Sequence, residues 1–141
     1  MLFGEYEHQV DAKNRIRIPS RFKNSIGQNY VFVKGPNKCI SIFPESVFNE
    51  RYGKFSNVSI FDAEGQKALM EVYSSVYTAQ EDGQGRVVIP EKLRNYAEID
   101  KEVVSIGMGD HVDLFSLDIR NSYREEKTYS EAISVLNGKL G

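Results

Sequence analysis

Two carboxylates each stand four residues ahead of an arginine. Asp11 precedes Arg15 in Asp11-Ala12-Lys13-Asn14-Arg15, and Asp82 precedes Arg86 in Asp82-Gly83-Gln84-Gly85-Arg86. A carboxylate that grips a guanidinium across a turn holds the arginine in one rotamer, and a bidentate pair does this best. A planar donor fork held that way suits a phosphate, or the O6 and N7 edge of guanine in the major groove. Stability is a poor reason to repeat the pair, because an exposed one contributes only about 0 to 1 kcal/mol. Spacing alone leaves open that Asp-x-x-x-Arg merely closes a turn. For Asp11 and Asp82 the two readings coincide, since capping the turn and orienting the arginine are one interaction. Around the first pair lies an acid-free basic run, Lys13, Arg15, Arg17, Arg21 and Lys23, and around the second a thinner set, Lys92 and Arg94. Either set can serve as phosphate contacts or as an ordinary solvated face.

The residues that could do other chemistry are few. Cys39 is the single cysteine, and His8 and His111 are the two histidines. They offer no nucleophile and base at catalytic spacing, no glycine-rich phosphate loop and no metal motif. Asp82 to Arg86 is not a calcium loop, lacking the alternating acids and the terminal glutamate. The reading is therefore a protein with no catalytic residues, no metal, no cofactor and no small-molecule substrate. Cys39 reads as a small buried hydrophobe in a strand.

The elements that must position the two pairs repeat. Asp82 follows Asp11 by 71 residues, and Asp, Arg, Ile and Pro recur in register between Asp11-to-Pro19 and Asp82-to-Pro90. In copy one, residues 5–10 alternate, with Tyr6, His8 and Val10 on one face, and predict one arm of a hairpin. Residues 11–14 are turn chemistry, with Asn14 at a position that tolerates positive φ. Residues 15–18 are the returning arm, with Ile16 and Ile18 inward and Arg15 and Arg17 outward, and Pro19 ends it. A short helix over 20–26 stops at Gly27, with Phe22 and Ile26 buried together. Strands over 30–34 and 39–43 flank a turn, and a helix from Pro44-Glu45 to about Tyr52 is closed by Gly53, with Val47, Phe48 and the stem of Arg51 facing the core.

Residues 53–61 read as linker, and Asp62 caps a helix whose Leu69, Val72, Tyr73 and Val76 share one face. Copy two then repeats the scheme: a strand over 76–81, the turn 82–85 with Gly85 at the place of Asn14, a strand over 86–89, and a helix over 91–97 with Leu93 and Ala97 inward. Strands over 103–107 and 111–115 follow with the offset grown to 72. Ser116 caps a helix to about Lys127, and a helical tail covers 130–140. The expected organisation is a first repeat over 1–53, linker and helix over 54–75, a second repeat over 76–128 and a tail over 129–141. About 45 residues cannot bury enough surface to be stable alone, so the two copies must interleave around one core with pseudo-twofold symmetry. Phe48, Tyr52, Phe55 and Phe61 are candidates for an oligomer interface, and fit core packing as well.

With 141 residues, 40% hydrophobic and 27% charged, the chain fits one ordinary domain rather than a disordered one. No apolar run is long enough to span a membrane, and the start lacks a leader pattern, so a cytoplasmic location is expected. The net charge of −2 argues mildly against nucleic acid if only the average is read. The basic run shows that the average conceals a cluster.

These residues carry a resemblance. Phe3-Gly4-Glu5-Tyr6-Glu7-His8, Asp11-Ala12-Lys13-Asn14-Arg15, Ile18-Pro19, Phe22, Asp82-Gly83-Gln84-Gly85-Arg86, Ile89-Pro90 and Leu93-Arg94-Asn95-Tyr96-Ala97 together resemble the MraZ family of transcriptional regulators, relatives of the AbrB-type swapped-hairpin proteins. The resemblance implies an α+β, mainly β fold, a double-split β-barrel of two tandem swapped-hairpin units with short helices. It also implies ring-like homo-oligomers, double-stranded DNA as partner, a nucleoid association, and repeated operator boxes ahead of cell-division and cell-wall genes. Arg15 and Arg86 would then touch DNA, with Asp11 and Asp82 as orienting partners and Lys13, Arg17, Arg21, Lys23, Lys92 and Arg94 as further contacts. The family pattern has glycine where this chain has Asn14, and copy two has Val88 where copy one has Arg17. The alternative class is a non-catalytic oligomeric scaffold or antitoxin-like partner of the same fold that does not bind DNA.

Overall fold

The computed structural model describes residues 1–141. The strands are β1 Glu5–Gln9, β2 Arg15–Arg17, β3 Tyr30–Gly35, β4 Cys39–Pro44, β5 Tyr77–Thr78, β6 Arg86–Val88, β7 Glu102–Gly107 and β8 Val112–Ser116. The helices are α1 Ser20–Ile26, α2 Glu45–Tyr52, α3 Ala63–Tyr73, α4 Glu91–Tyr96, α5 Leu117–Arg124 and α6 Tyr129–Leu140, with a 3-10 turn over Gly53–Asn57. Six strands form one open sheet in the order β1-β7-β8-β4-β3-β5, and β2 and β6 form a separate antiparallel ribbon. No pairing closes the sheet into a barrel; β1 and β5 are its edges.

The order of strands is the order of a swap. β1 and β2 flank the Asp11 turn, as the alternation predicts, yet they do not pair with each other: β1 pairs with β7 of the other copy, and β2 with β6. In the same way β5 leaves β6 and pairs with β3. Alternation encodes which face is buried, not which strand lies alongside, so the partner is illegible in it. Exchanging arms lets two half-size units share one core. A single cluster of 17 buried residues takes Ile16, Phe22 and Phe32 from copy one together with Val87, Leu93 and Leu114 from copy two.

The pseudo-twofold axis passes through two places. In the ribbon Ile16 faces Val87, its own counterpart. In the sheet β4 pairs with β8 so that Ser41 faces Asp113, again its counterpart, and the buried Ser41 hydroxyl donates to Asp113 Oδ1 at 2.6 Å. His111 Nε2 lies 3.2 Å from the same carboxylate, and its ring stacks on Phe43.

Several expectations are corrected. Val10 is buried and His8 half-buried, but Tyr6 is 48% exposed, because β1 is an edge strand that runs past the rim of the core. No residue of α3 is buried: Val72 and Tyr73 stay at the surface, since the shared core is complete without that helix. Arg51 does not lay its stem on the core but pairs with Asp110. Gly53 does not close α2 outright; the chain tightens into the 3-10 turn. Phe48 and Tyr52 stack on each other against a small cluster of Val31, Val33 and Phe43, and Phe55 meets Tyr52 edge-on, whereas Phe61 is 90% exposed. The last helix starts at Tyr129, because Thr128 and Glu131 form a capping box, and α5 ends at Arg124. Cys39 is fully buried in β4, as its residue type suggests.

Candidate nucleic-acid interface

Each Asp turn is built by its own carboxylate. In copy one, Asp11 Oδ1 accepts from the backbone N–H of Lys13 and of Arg15, both at 2.9 Å, while Oδ2 accepts from Arg15 Nε at 2.8 Å. Copy two repeats the arrangement: Asp82 Oδ1 accepts from the N–H of Gln84 and Arg86, both at 2.9 Å, and Oδ2 from Arg86 Nε at 2.8 Å. The backbone closes identically, with the N–H of Asp11 on Arg15 O and of Asn14 on Asp11 O, and the N–H of Asp82 on Arg86 O and of Gly85 on Asp82 O. The geometry demands a left-handed residue before the arginine. Asn14 supplies φ of 61° and Gly85 φ of 75°, so asparagine does in copy one the work that glycine does in copy two.

One expectation about the grip is corrected. The guanidiniums are held through Nε alone rather than by a bidentate fork, because Oδ1 is already committed to two backbone donors. The terminal nitrogens of Arg86 are therefore free to donate elsewhere, and the one further ion-pair contact of Arg15 is Nη1 to Asp82 Oδ2 at 3.7 Å. The same contacts hold both carboxyls ionised. For Asp82 the N–H of Arg86 is the largest influence, and with that of Gln84 and the Arg86 guanidinium it outweighs the opposing cost of burial and pulls the carboxyl down to about 2. Asp11 is lowered by the N–H of Arg15 first, then by its side chain and the N–H of Lys13. Both arginines thus stay oriented at any pH near neutrality.

The ribbon gathers the copies. Arg15 faces Val88 and Arg17 faces Arg86 across it, and since Ile16 and Val87 are buried, those four residues lie on the outer face. Arg17 is exposed, and its Nε donates to the carbonyl of Gln84 in the other copy's turn at 3.0 Å. Beside β2 runs an open groove of about 360 Å³ lined by Tyr6, His8, Arg15, Arg17, Pro19 and Arg86 among others. The structure brings Arg15, Arg17 and Arg86 together there, with Lys13 exposed on the neighbouring turn.

The other cations are dispersed. Arg21 and Lys92 are exposed on α1 and α4, Arg94 is half-buried with its Nε on Ile89 O at 3.0 Å, and Lys23 is tied down. Lys23 Nζ lies 2.6 Å from Glu81 Oε2, which also accepts from the hydroxyl of the fully buried Tyr30 at 2.6 Å, and Lys23 donates to Gly27 O as well. Burial pushes the Glu81 carboxyl up, but the bonds from Lys23 and Tyr30 outweigh it and hold it below the usual range. Sequence reasoning missed this clamp between the copies. Its signal was present: Glu81 stands where copy one has the buried Val10, and a charge at a duplicated core position requires a partner.

Other chemistry finds little support in the geometry. Burial pushes the Cys39 thiol up to about 12, with the charge of Asp113 adding to the effect, so it is not a thiolate near neutral pH. No helix is long and apolar enough to cross a membrane.

Comparison with known proteins fits this geometry. The family model described as "MraZ protein, putative antitoxin-like" matches residues 1–71 and again 72–133, two copies that divide the chain as the two turns do. A transcriptional regulator MraZ from Carboxydothermus hydrogenoformans is 33% identical over 123 residues, 87% of this chain and 86% of that protein. One from Clostridium acetobutylicum is 31% identical over 141 residues, 100% of this chain and 99% of its own. Another, from Bifidobacterium longum, is 33% identical over 127 residues, covering 90% and 85%. With both of its halves matched and its relatives aligned along nearly their whole length, this chain belongs to the MraZ family.

Proposed function

We propose that the chain is a sequence-specific, DNA-binding transcriptional regulator that sets the β2–β6 ribbon against duplex DNA. The observation that carries this reading is the pair of duplicated turns, each holding an arginine by Nε on the outer face of one two-stranded ribbon. A ribbon of two strands fits the major groove, and a pre-oriented guanidinium there meets guanine O6 and N7 or a phosphate. Arg15 and Arg86 make the direct contacts, and Asp11 and Asp82 orient them. Arg17, Lys13 and Arg21 add phosphate contacts in copy one, and Lys92 and Arg94 in copy two. Lys23 acts within its ion pair with Glu81 and adds little net field. The relatives named as transcriptional regulators support the same class of function. In this reading the exchanged arms are the two swapped-hairpin units of a double-split barrel.

The formal net charge of −2 makes one chain a weak binder, because few phosphates are neutralised. A homo-oligomeric ring on repeated operator boxes of cell-division and cell-wall genes overcomes this, as each further contact is intramolecular and raises apparent affinity by roughly 10² to 10⁴. The test is an electrophoretic shift with duplexes carrying one or several boxes at two salt concentrations. Arg15→Ala and Arg86→Ala combined in one chain abolish the shift while circular dichroism and oligomer size stay unchanged; unfolding instead assigns the pair to structure. Equal affinity for one box and for several removes the ring from the account.

A second reading, a non-catalytic scaffold or antitoxin-like partner, has one observation in its favour. α6 presents Tyr129, Ile133, Leu136 and Leu140 along one exposed apolar stripe. If that reading holds, Arg15→Ala changes no binding partner and deletion of α6 does.

A further inference from the structure

The ribbon is symmetric in backbone, and on its outer face it is asymmetric in one side chain. Ile16 and Val87 meet on the pseudo-twofold axis, and the outer positions on either side of it are equivalent pairs: Arg15 with Arg86, and Arg17 with Val88. Three of these four residues are arginines. The fourth is an isopropyl group, 54% exposed, directly opposite Arg15 and on the face from which the arginines project. A lone exposed valine on an ordinary surface requires no explanation. At this place it is surrounded by the groups that would contact a duplex, so whatever the arginines touch, Val88 touches too.

The chemistry of a duplex edge offers one apolar group in the major groove, the C5-methyl of thymine. We propose that Val88 is a specificity residue that packs on a thymine methyl, while its counterpart Arg17 donates from its terminal nitrogens in the other half of the site. This rests on the DNA-binding reading above. Arg17 is pre-set for that role, because its Nε is already occupied by Gln84 O and its outer edge is left over. No side chain of β6 makes the equivalent bond to the other turn, since valine has no donor, and that turn is held by the Ile89 N–H on Asn14 O at 2.9 Å. The two halves of the ribbon therefore read different base-pair edges, and a single chain lies on its site in one direction only.

The test uses the full chain and a randomised duplex pool, selected by the protein and sequenced. Each thymine of a selected duplex is then replaced by uracil, which removes only the methyl. The expected result is one thymine at which uracil weakens binding by about four-fold, the value of one buried methyl-sized group. Val88→Ala loses that sensitivity and still shifts the duplex. Val88→Arg makes the outer face of the ribbon alike in both halves, so its preference for the original over the inverted site is smaller than that of the wild type. An unchanged uracil effect in Val88→Ala, or no uracil-sensitive thymine at all, overturns the proposal while leaving DNA binding in place. If the wild-type chain retains no duplex from the pool, the DNA-binding reading itself fails. Because Val88 is exposed, the variants keep the wild-type oligomer size and circular dichroism, which are measured alongside.

Discussion

Replacing Lys13 and Arg17 together by alanine should alter the salt dependence of DNA binding more than replacing Arg86 alone. The structure supplies the reason. Lys13 is exposed with no acidic partner, and Arg17 is exposed with only a carbonyl at its Nε. Each therefore carries a full positive charge to a phosphate. Arg86 sits 2.8 Å from Asp82 with only 27% of its side chain exposed, so much of its charge is answered within the protein. Each phosphate that is no longer neutralised reduces the slope of log affinity against log salt by about 0.9, so the double variant flattens it by about 1.8 and Arg86→Ala by at most about 0.9. Between about 50 mM and 200 mM salt, the wild-type affinity then falls about twelve-fold further than that of the double variant, against at most about three- to four-fold further than that of Arg86→Ala. If Arg86 reads guanine, its loss lowers affinity by about 1–3 kcal/mol at every salt concentration and leaves the slope nearly unchanged. The assay is a fluorescence-anisotropy titration of a repeat-containing duplex at four or five salt concentrations. Should Arg86→Ala flatten the slope more than the double variant, copy one does not carry the larger share of phosphate neutralisation. Lys23→Met combined with Glu81→Gln serves as a reference, and leaves the slope unchanged because it removes a pair of nearly zero net charge.

Tyr30→Phe removes the hydroxyl that donates to Glu81 Oε2 at 2.6 Å and should cost about 1–2 kcal/mol in urea unfolding, the lower part of the charged range since Lys23 still serves the carboxylate. A cost near zero would mean that water replaces the hydroxyl freely. Gly85→Asn should fold as the wild type does, because Asn14 occupies the same left-handed place in copy one, whereas Gly85→Val should lose more than the roughly 1–2 kcal/mol that the conformation costs an ordinary residue; equal thermal midpoints for the two would refute this. Burial pushes the His111 imidazole down, but hydrogen bonds to Asp113 and Asp110 and their charges outweigh it, so the net shift is upward from 6.5. Its contribution to stability is present in full below pH 6.5 and disappears as pH rises through the higher folded value. His8 acts in the opposite sense, lowered by burial, and erodes stability as pH falls below about 6.5. His111→Gln should therefore flatten the alkaline side of a plot of melting temperature against pH and leave the acid side; a decline that persists above neutrality in that variant would exclude His111 as its source.

Much of the site is legible in the sequence because its signal is local. Asp11, the turn and Arg15 lie within five residues, and a carboxylate four ahead of an arginine with a left-handed residue between them has few geometries open to it. The cap at Asp62 and the buried faces of Phe22, Ile26 and Leu93 are equally local. What cannot be read is anything settled by a distant partner. The alternation of β1 says nothing of β7, and the pairing of Lys23 with Glu81 spans 58 residues. The apolar stripe of α3 is legible as one face, but periodicity records amphipathicity and not what lies opposite, and none of its residues is buried. The capping box at Thr128 and Glu131 is a plain local pattern, and it fixes the start of α6 at Tyr129.

The axis through Ser41 and Asp113 has a consequence for what a fused pair of repeats can do and two identical subunits cannot. Two identical copies of the first repeat would set Ser against Ser at that crossing, and two of the second would set Asp against Asp. In the second case the two buried carboxylates would have to share a proton, and the fold would depend on pH at its centre. Joined in one chain, the positions are released from identity: serine donates, aspartate accepts, and the charge is answered from the side by His111. The same release separates Glu81 from Val10 and Val88 from Arg17. Covalent linkage thus keeps the geometry of a dimer while removing its obligation to be the same on both sides.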